Sequence, residues 1–181
     1  MNQRMKRVIT IILAAVMVLI LAVPVVSADM HEQTIVDIAV EDGRFDTLVA
    51  AVVYTGLADA LSGGEWTVFA PTDDAFAKLD LNADNITSAF SKEELTDILL
   101  YHAMDSKVDA ATAKVSTGDI TMANGQVAGL KVFEDNLYVN DDSMVIIPDI
   151  FAANGVIHVV DTVILGPWPR VEAEEEAVMM D

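Results

Sequence analysis

The spacing of apolar residues changes character partway along the chain, and this limits the architecture more than any other feature. Before about Tyr101, apolar residues recur at helical intervals. Phe45, Leu48, Val49, Val52 and Val53 predict a helix from Phe45 to Tyr54, and Leu95, Ile98, Leu99 and His102 form one stripe of another. Ser91, with Glu94 three residues later, is a capping box opening that second helix. Shorter helices are expected from Thr34 to Val40, ending near Gly43, and at Asp59–Leu61. One early strand, Trp66–Ala70, is stopped by Pro71, and Thr72 then caps a helical turn from Asp73 to Leu79. From Lys107 onward the runs shorten. Asp119–Met122, Gln126–Phe133, Leu137–Val139, Met144–Pro148 and Val156–Ile164 read as strands. Asn124-Gly125 and Asp135-Asn136 read as tight turns between neighbouring strands. Helices first and strands after predict an α+β fold, not alternating β-α units.

A length of 181 residues suits one domain with tails. Arg4, Lys6 and Arg7, the apolar run Val8–Val23, Pro24 and the small residues before Asp29 match an export signal over residues 1–28. Left uncleaved, the same run would act as an N-terminal membrane anchor, the only membrane contact expected. Residues 168–181, with Glu172 and Glu174-Glu175-Glu176, read as an acidic disordered tail. The chain has no cysteine, which excludes disulfides, thiolate metal sites and a cysteine nucleophile. Its 29 acidic against 10 basic side chains give a net charge of −19, which disfavours nucleic acid as a partner. A solvated acidic surface, adaptation to high salt and loading of divalent cations are three open readings of that charge.

Three segments carry a family resemblance. Thr67-Val68-Phe69-Ala70-Pro71-Thr72-Asp73-Asp74-Ala75-Phe76-Ala77-Lys78-Leu79 resembles the first conserved segment of the fasciclin domain. Asp97 to Met104, with the pair Tyr101-His102, resembles the central segment, and Asn154-Gly155-Val156-Ile157-His158-Val159-Val160-Asp161 the closing one. Their order and spacing fit one copy within residues 29–167. The resemblance implies a wedge-shaped β-sandwich with helices packed around it. It implies extracellular adhesion, with a protein or glycan of the cell surface or matrix as partner and without cofactor or catalysis. It makes Tyr101 and His102 candidate binding residues. An integrin-type motif is partly matched at Pro148-Asp149-Ile150, which adds Asp149 and Ile150. Thr67, Phe69, Pro71, Thr72, Phe76, Asn154, Gly155, His158 and Asp161 are the structural positions of the motifs.

Read physically, these segments are mainly structural. Phe69, Phe76 and Leu79 are core candidates. Gly155 is expected to permit a turn before a last strand buried on both faces. His102 on an apolar stripe and His158 within an apolar strand read as hydrogen-bonded core histidines. The serines lie in caps and turns, with no nucleophile elbow, so a secreted hydrolase using His102 or His158 is the lesser alternative. A small-ligand module with a pocket between helices and sheet is another. Asp80, Asn82 and Asp84 open like a calcium loop, but Asn85 replaces the glycine and Ser91 the closing glutamate, so no metal site is expected. The three histidines lack a zinc spacing, and His31 reads as incidental. Asn85-Ile86-Thr87 is a glycosylation sequon.

Overall fold

The structure, a computed structural model, describes residues 33–166. The expected export segment, His31 and the acidic tail lie outside the described residues.

The helices start where local chemistry can satisfy their free amides. α1 (Ile35–Asp42) begins at Thr34, whose hydroxyl accepts from the Asp37 amide while the Asp37 carboxylate accepts from the Thr34 amide, and it ends at Gly43 in the left-handed region. α6 (Lys92–Tyr101) opens with the reciprocal Ser91–Glu94 box. α2 (Asp46–Thr55) has Phe45 at its N-cap, a residue with no acceptor to offer. The cap comes from a distant side chain: Asp73 accepts from the Thr47 amide at 2.8 Å and the Asp46 amide at 3.2 Å. α3 (Ala58–Ser62) follows. α4 (Asp73–Ala77) is capped by Thr72, whose hydroxyl accepts from the Ala75 amide.

Two helices were not read from the pattern, α5 (Ile86–Ala89) and α7 (Ala110–Val115). Both are too short to show a 3.6-residue period. α7 does carry a cap, Asp109, which accepts from the Thr112 amide. α4 stops earlier than expected, at Ala77. The turn that follows leaves Leu79 40 % exposed, and Leu81 packs on the core instead.

The strands are β1 (Trp66–Pro71), β2 (Ala103–Met104), β3 (Gly118–Thr121), β4 (Val127–Phe133), β5 (Asn136–Val139), β6 (Ser143–Ala152) and β7 (Gly155–Val160). Among the described residues they join in the order β2-β1-β7-β6-β5-β4-β3. β1 and β7 run parallel, with Phe69 opposite His158, and the other pairs are antiparallel. β6 pairs with β5 only at Ser143 and Met144, then with β7 from Val145 to Ala152. Its register slips twice, between Val145 and Ile147 and between Ile147 and Ile150. There the sheet folds over. Leu130 of β4 and Val139 of β5 thereby share a core with Phe69 of β1 and Val160 of β7. Val68, Ala70, Ile157 and Val159 point the other way, into a second core with Phe45, Phe76, Leu95 and Leu99 from the helices. The result is the expected α+β fold, with a sheet closed nearly into a barrel, α1 to α6 covering one side and α7 packed against β4 and β5.

Four strand details differ from the reading. β6 continues through Pro148 to Ala152, because the slipped register places the residue that lacks an amide at a bulge. β7 ends at Val160, not Ile164. The β4–β5 turn is Glu134-Asp135, both at positive φ (49° and 66°), one residue earlier than expected. Gly155 does not serve a turn. It starts β7 against β1, where a Cβ would lie 2.0 Å from the Trp66 carbonyl oxygen and 2.8 Å from Ile35.

Gly155→Ala is therefore expected to cost about 3 kcal/mol or more in urea unfolding. Gly129→Ala, where a Cβ meets nothing within 4 Å, should stay within about 1 kcal/mol. Asp73→Ala removes both amide acceptors of α2 and should cost about 1–2 kcal/mol in the same measurement.

Candidate functional site

The polar residues of the three motif segments converge on a set of clamps. Asn154 accepts from the Ile35 amide at 2.9 Å and donates to the Leu61 carbonyl at 2.7 Å, while its own carbonyl accepts from the Trp66 amide. One residue, through its side chain and its carbonyl, thus ties α1, α3 and β1 to the start of β7. Thr67 accepts from the Val108 amide and donates to the Ser106 carbonyl, which fastens the segment before α7 across β1. Asp161 accepts from the Met144 amide at 3.0 Å, and Lys78 donates to the Asp161 carbonyl at 2.6 Å.

The two histidines complete the set. His102 follows α6 and is 2 % exposed. Its Nε2 lies 2.9 Å from the Ile164 amide, which can only donate, so Nε2 accepts. Its Nδ1, 2.7 Å from the Ile98 carbonyl, must then carry the proton. His158 of β7 is fully buried and takes the opposite tautomer. Its Nδ1 accepts from the Asp149 amide at 3.2 Å, and its Nε2 donates to the Val108 carbonyl at 3.0 Å. Phe69 stands beside this ring, with centroids 5.6 Å apart. Both rings are neutral, and both nitrogens of each are committed to backbone. Burial pushes His102 down to about 4, against a pull upward from the Ile98 carbonyl. Burial lowers His158 as well, opposed by the Val108 carbonyl and by the charges of Asp149 and Asp109.

Tyr101 is 1 % exposed; its hydroxyl donates to the Val127 carbonyl at 3.0 Å and accepts from Asn140 at 3.3 Å. Tyr101 and His102 thus lie inside the fold, side by side in sequence but in different contacts. Asp149 and Ile150 lie elsewhere, half-buried on the β6 bulge. Asp149 sits at a positive φ of 59° and accepts from the Ala110 amide at 2.8 Å, at the start of α7. Asn85 is half-buried, and its amide donates to the Asp80 carbonyl at 2.9 Å. Asn82 turns its side chain onto the amides of Asp84 and Asn85 in the same loop. No group of three histidine or carboxylate side chains placed to hold a metal occurs among the described residues.

Two hollows adjoin these clamps. An apolar cleft with about 60 Å³ of free volume lies between α1, α2 and α3, lined by Ala39, Val49, Val52, Leu61 and His102. A wider concavity of about 430 Å³ lies where Gln33 and Ile38 face Lys107 and Phe151. The sequence reading missed Lys107 and Phe151. They are far apart in the chain, and only the folded register brings them together.

Acid should unfold the protein through its histidines. Their pKa values lie below that of the free imidazole, so the unfolded chain takes up protons first as pH falls. The stabilisation is complete above pH 6.5 and is lost toward pH 4, a loss of about 3 kcal/mol for His102 alone. Urea unfolding stepped from pH 7 to 4 checks this, and His102→Gln should flatten the slope.

Known proteins are similar to this chain in sequence and in fold. The Fasciclin domain family model matches residues 43–166. Protein sll1483 of Synechocystis sp. is 43 % identical over 136 residues, covering 74 % of this chain and 74 % of its own. The cell surface glycolipoprotein MPB83 of Mycobacterium bovis is 33 % identical, covering 61 % of this chain and 48 % of its own. The FAS1 domain pair of the insect cell adhesion molecule fasciclin I superposes with a TM-score of 0.61 at 17 % identity, over 74 % of this chain and 51 % of that one. A match across most of the described residues, with the clamps of all three motif segments in place, makes this chain a member of the fasciclin domain family.

Proposed function

We propose that the chain is an extracellular binding module that recognises a protein or glycan at the cell envelope or matrix. The observation that carries this reading is the saturation of both imidazoles by backbone partners. A general base needs a free nitrogen within reach of a substrate proton, and here every ring nitrogen is bonded to a backbone group, three of the four to another segment of the fold. The same bonds make a stiff frame, which suits recognition because little entropy is lost when a preorganised surface docks. MPB83 is described as a cell-surface protein and fasciclin I as a cell adhesion molecule, in line with the export signal read at residues 1–28. No described helix is long and apolar enough to cross a membrane.

Tyr101 and His102 act on binding, in this reading, by holding the frame. The bulge at Asp149 and Ile150 is half-buried, more open than either Tyr101 or His102, and is the better place for direct contact. The apolar cleft between α1, α2 and α3 supports a second reading as a small-ligand module, which ligand-dependent melting shifts would detect.

The test is retention of the purified protein on native envelope material, against an unrelated acidic protein of equal charge. The protein should be retained and the control washed off; equal retention removes the reading. His102→Ala should lower melting temperature and retention together, whereas lost retention with an unchanged melting curve would place the ring in direct contact with the partner.

A further inference from the structure

Building on the reading of the chain as a binding module, we propose that the concavity between Phe151, Lys107, Gln33 and Ile38 binds a neutral sugar unit of a glycan. Phe151 is 61 % exposed on β6, a large apolar ring turned to water beside a hollow. The Lys107 ammonium stands 5.8 Å from its ring centroid. Four other cations are spent on ion pairs, Arg44 with Asp42, Lys78 with Asp161, Lys114 with Asp135 and Lys131 with Asp141. Lys92 and Lys107 make no ion pair among the described residues, and of these two Lys107 lines the hollow, so its donors are left for a ligand.

Charge narrows the occupant. A net charge of −19 repels polyanions at a distance, and Lys107 repels a cation at contact. What remains is an uncharged molecule with an apolar face for the ring and hydroxyls for the ammonium and the Gln33 side-chain carbonyl, since the Gln33 amide nitrogen donates to the Glu41 carboxylate; a pyranose fits that description. The volume of about 430 Å³ lies within the roughly 300–1,000 Å³ span of small-ligand sites. Ala152 and Ala153 keep the floor low, and the Ala153 amide bonds the Gln33 carbonyl at 2.8 Å, holding that rim. The walls are fixed from behind. His158 bonds Val108, next to Lys107, and Asp149, two residues before Phe151.

The experiment is an NMR titration of the protein with three neutral hexamers, of β-1,4-glucose, β-1,4-N-acetylglucosamine and β-1,4-mannose, and with a galacturonate hexamer as the charged arm. At least one neutral hexamer should shift the signals of Gln33, Lys107 and Phe151. Its affinity should hold between about 50 and about 500 mM NaCl, since no net charge is being screened. Phe151→Ala should weaken it about tenfold and Lys107→Ala about threefold, with melting curves unchanged because both side chains are exposed. Silence with all three neutral hexamers, tighter binding of galacturonate, or an unchanged affinity in Phe151→Ala would overturn the proposal. If the protein still holds envelope material better than its charge-matched control, only the sugar site is wrong; if it does not, the binding-module reading falls first.

Discussion

The parallel pairing of β1 with β7 is the constraint on which the rest of the molecule depends. Six residue pairs, from Trp66 with Gly155 to Pro71 with Val160, bring two distant stretches of chain into one ladder. All of β7 is buried, and so is all of β1 after Trp66. The alternation of side chains along this pair therefore feeds both cores, Ile157 and Val159 on one side and Phe69 and Val160 on the other. The three motif segments are the strands and helix ends that meet here: β1 with α4, the end of α6 with β2, and β7. Their resemblance to the family is thus a record of one packing problem, how to stack β2, β1 and β7 with no room between Gly155 and the Trp66 carbonyl.

Buried polar groups around that ladder do the joining. A backbone amide or carbonyl removed from water is costly unless it finds a partner. Asn154, Thr67, His102 and His158 supply those partners at helix ends, at the β6 bulge and in the loops that flank the ladder. Imidazole suits the task because its neutral form offers one donor and one acceptor on opposite edges. The two rings use opposite tautomers because the carbonyl meets Nδ1 in His102 and Nε2 in His158. Surface charge plays a smaller part. The four ion pairs involve exposed side chains, where solvent leaves each such contact worth little.

Much of the architecture was legible in the residue pattern. The capping box at Ser91, the stripe Leu95–Ile98–Leu99–His102 and the Asn124-Gly125 turn are local signals, and each stands where it was read. What escaped depends on contacts between remote residues. Asp73 looks like an ordinary first-turn acid of α4, and nothing near it shows that it also caps α2. Gly155 looks like a turn residue until Trp66 is set against it. Leu79 seemed apolar enough for the core, but Asp80 at positive φ closes the turn and hands that place to Leu81. Lys107 and Phe151 carry no motif, so their meeting belongs to the slipped register of β6 and the strap before α7.

The ladder between β1 and β7 also sets the order in which the molecule can assemble. Everything up to α6 can form turns and helices, yet none of it can complete a core before residues 155–160 arrive. Closure over so long a loop is slow, because the entropy of joining its ends is lost before the buried contacts are gained. Until then the apolar faces of α2 and α6 stay open to any other surface. Neither core can close until β7 has joined β1, however much helix has formed before it.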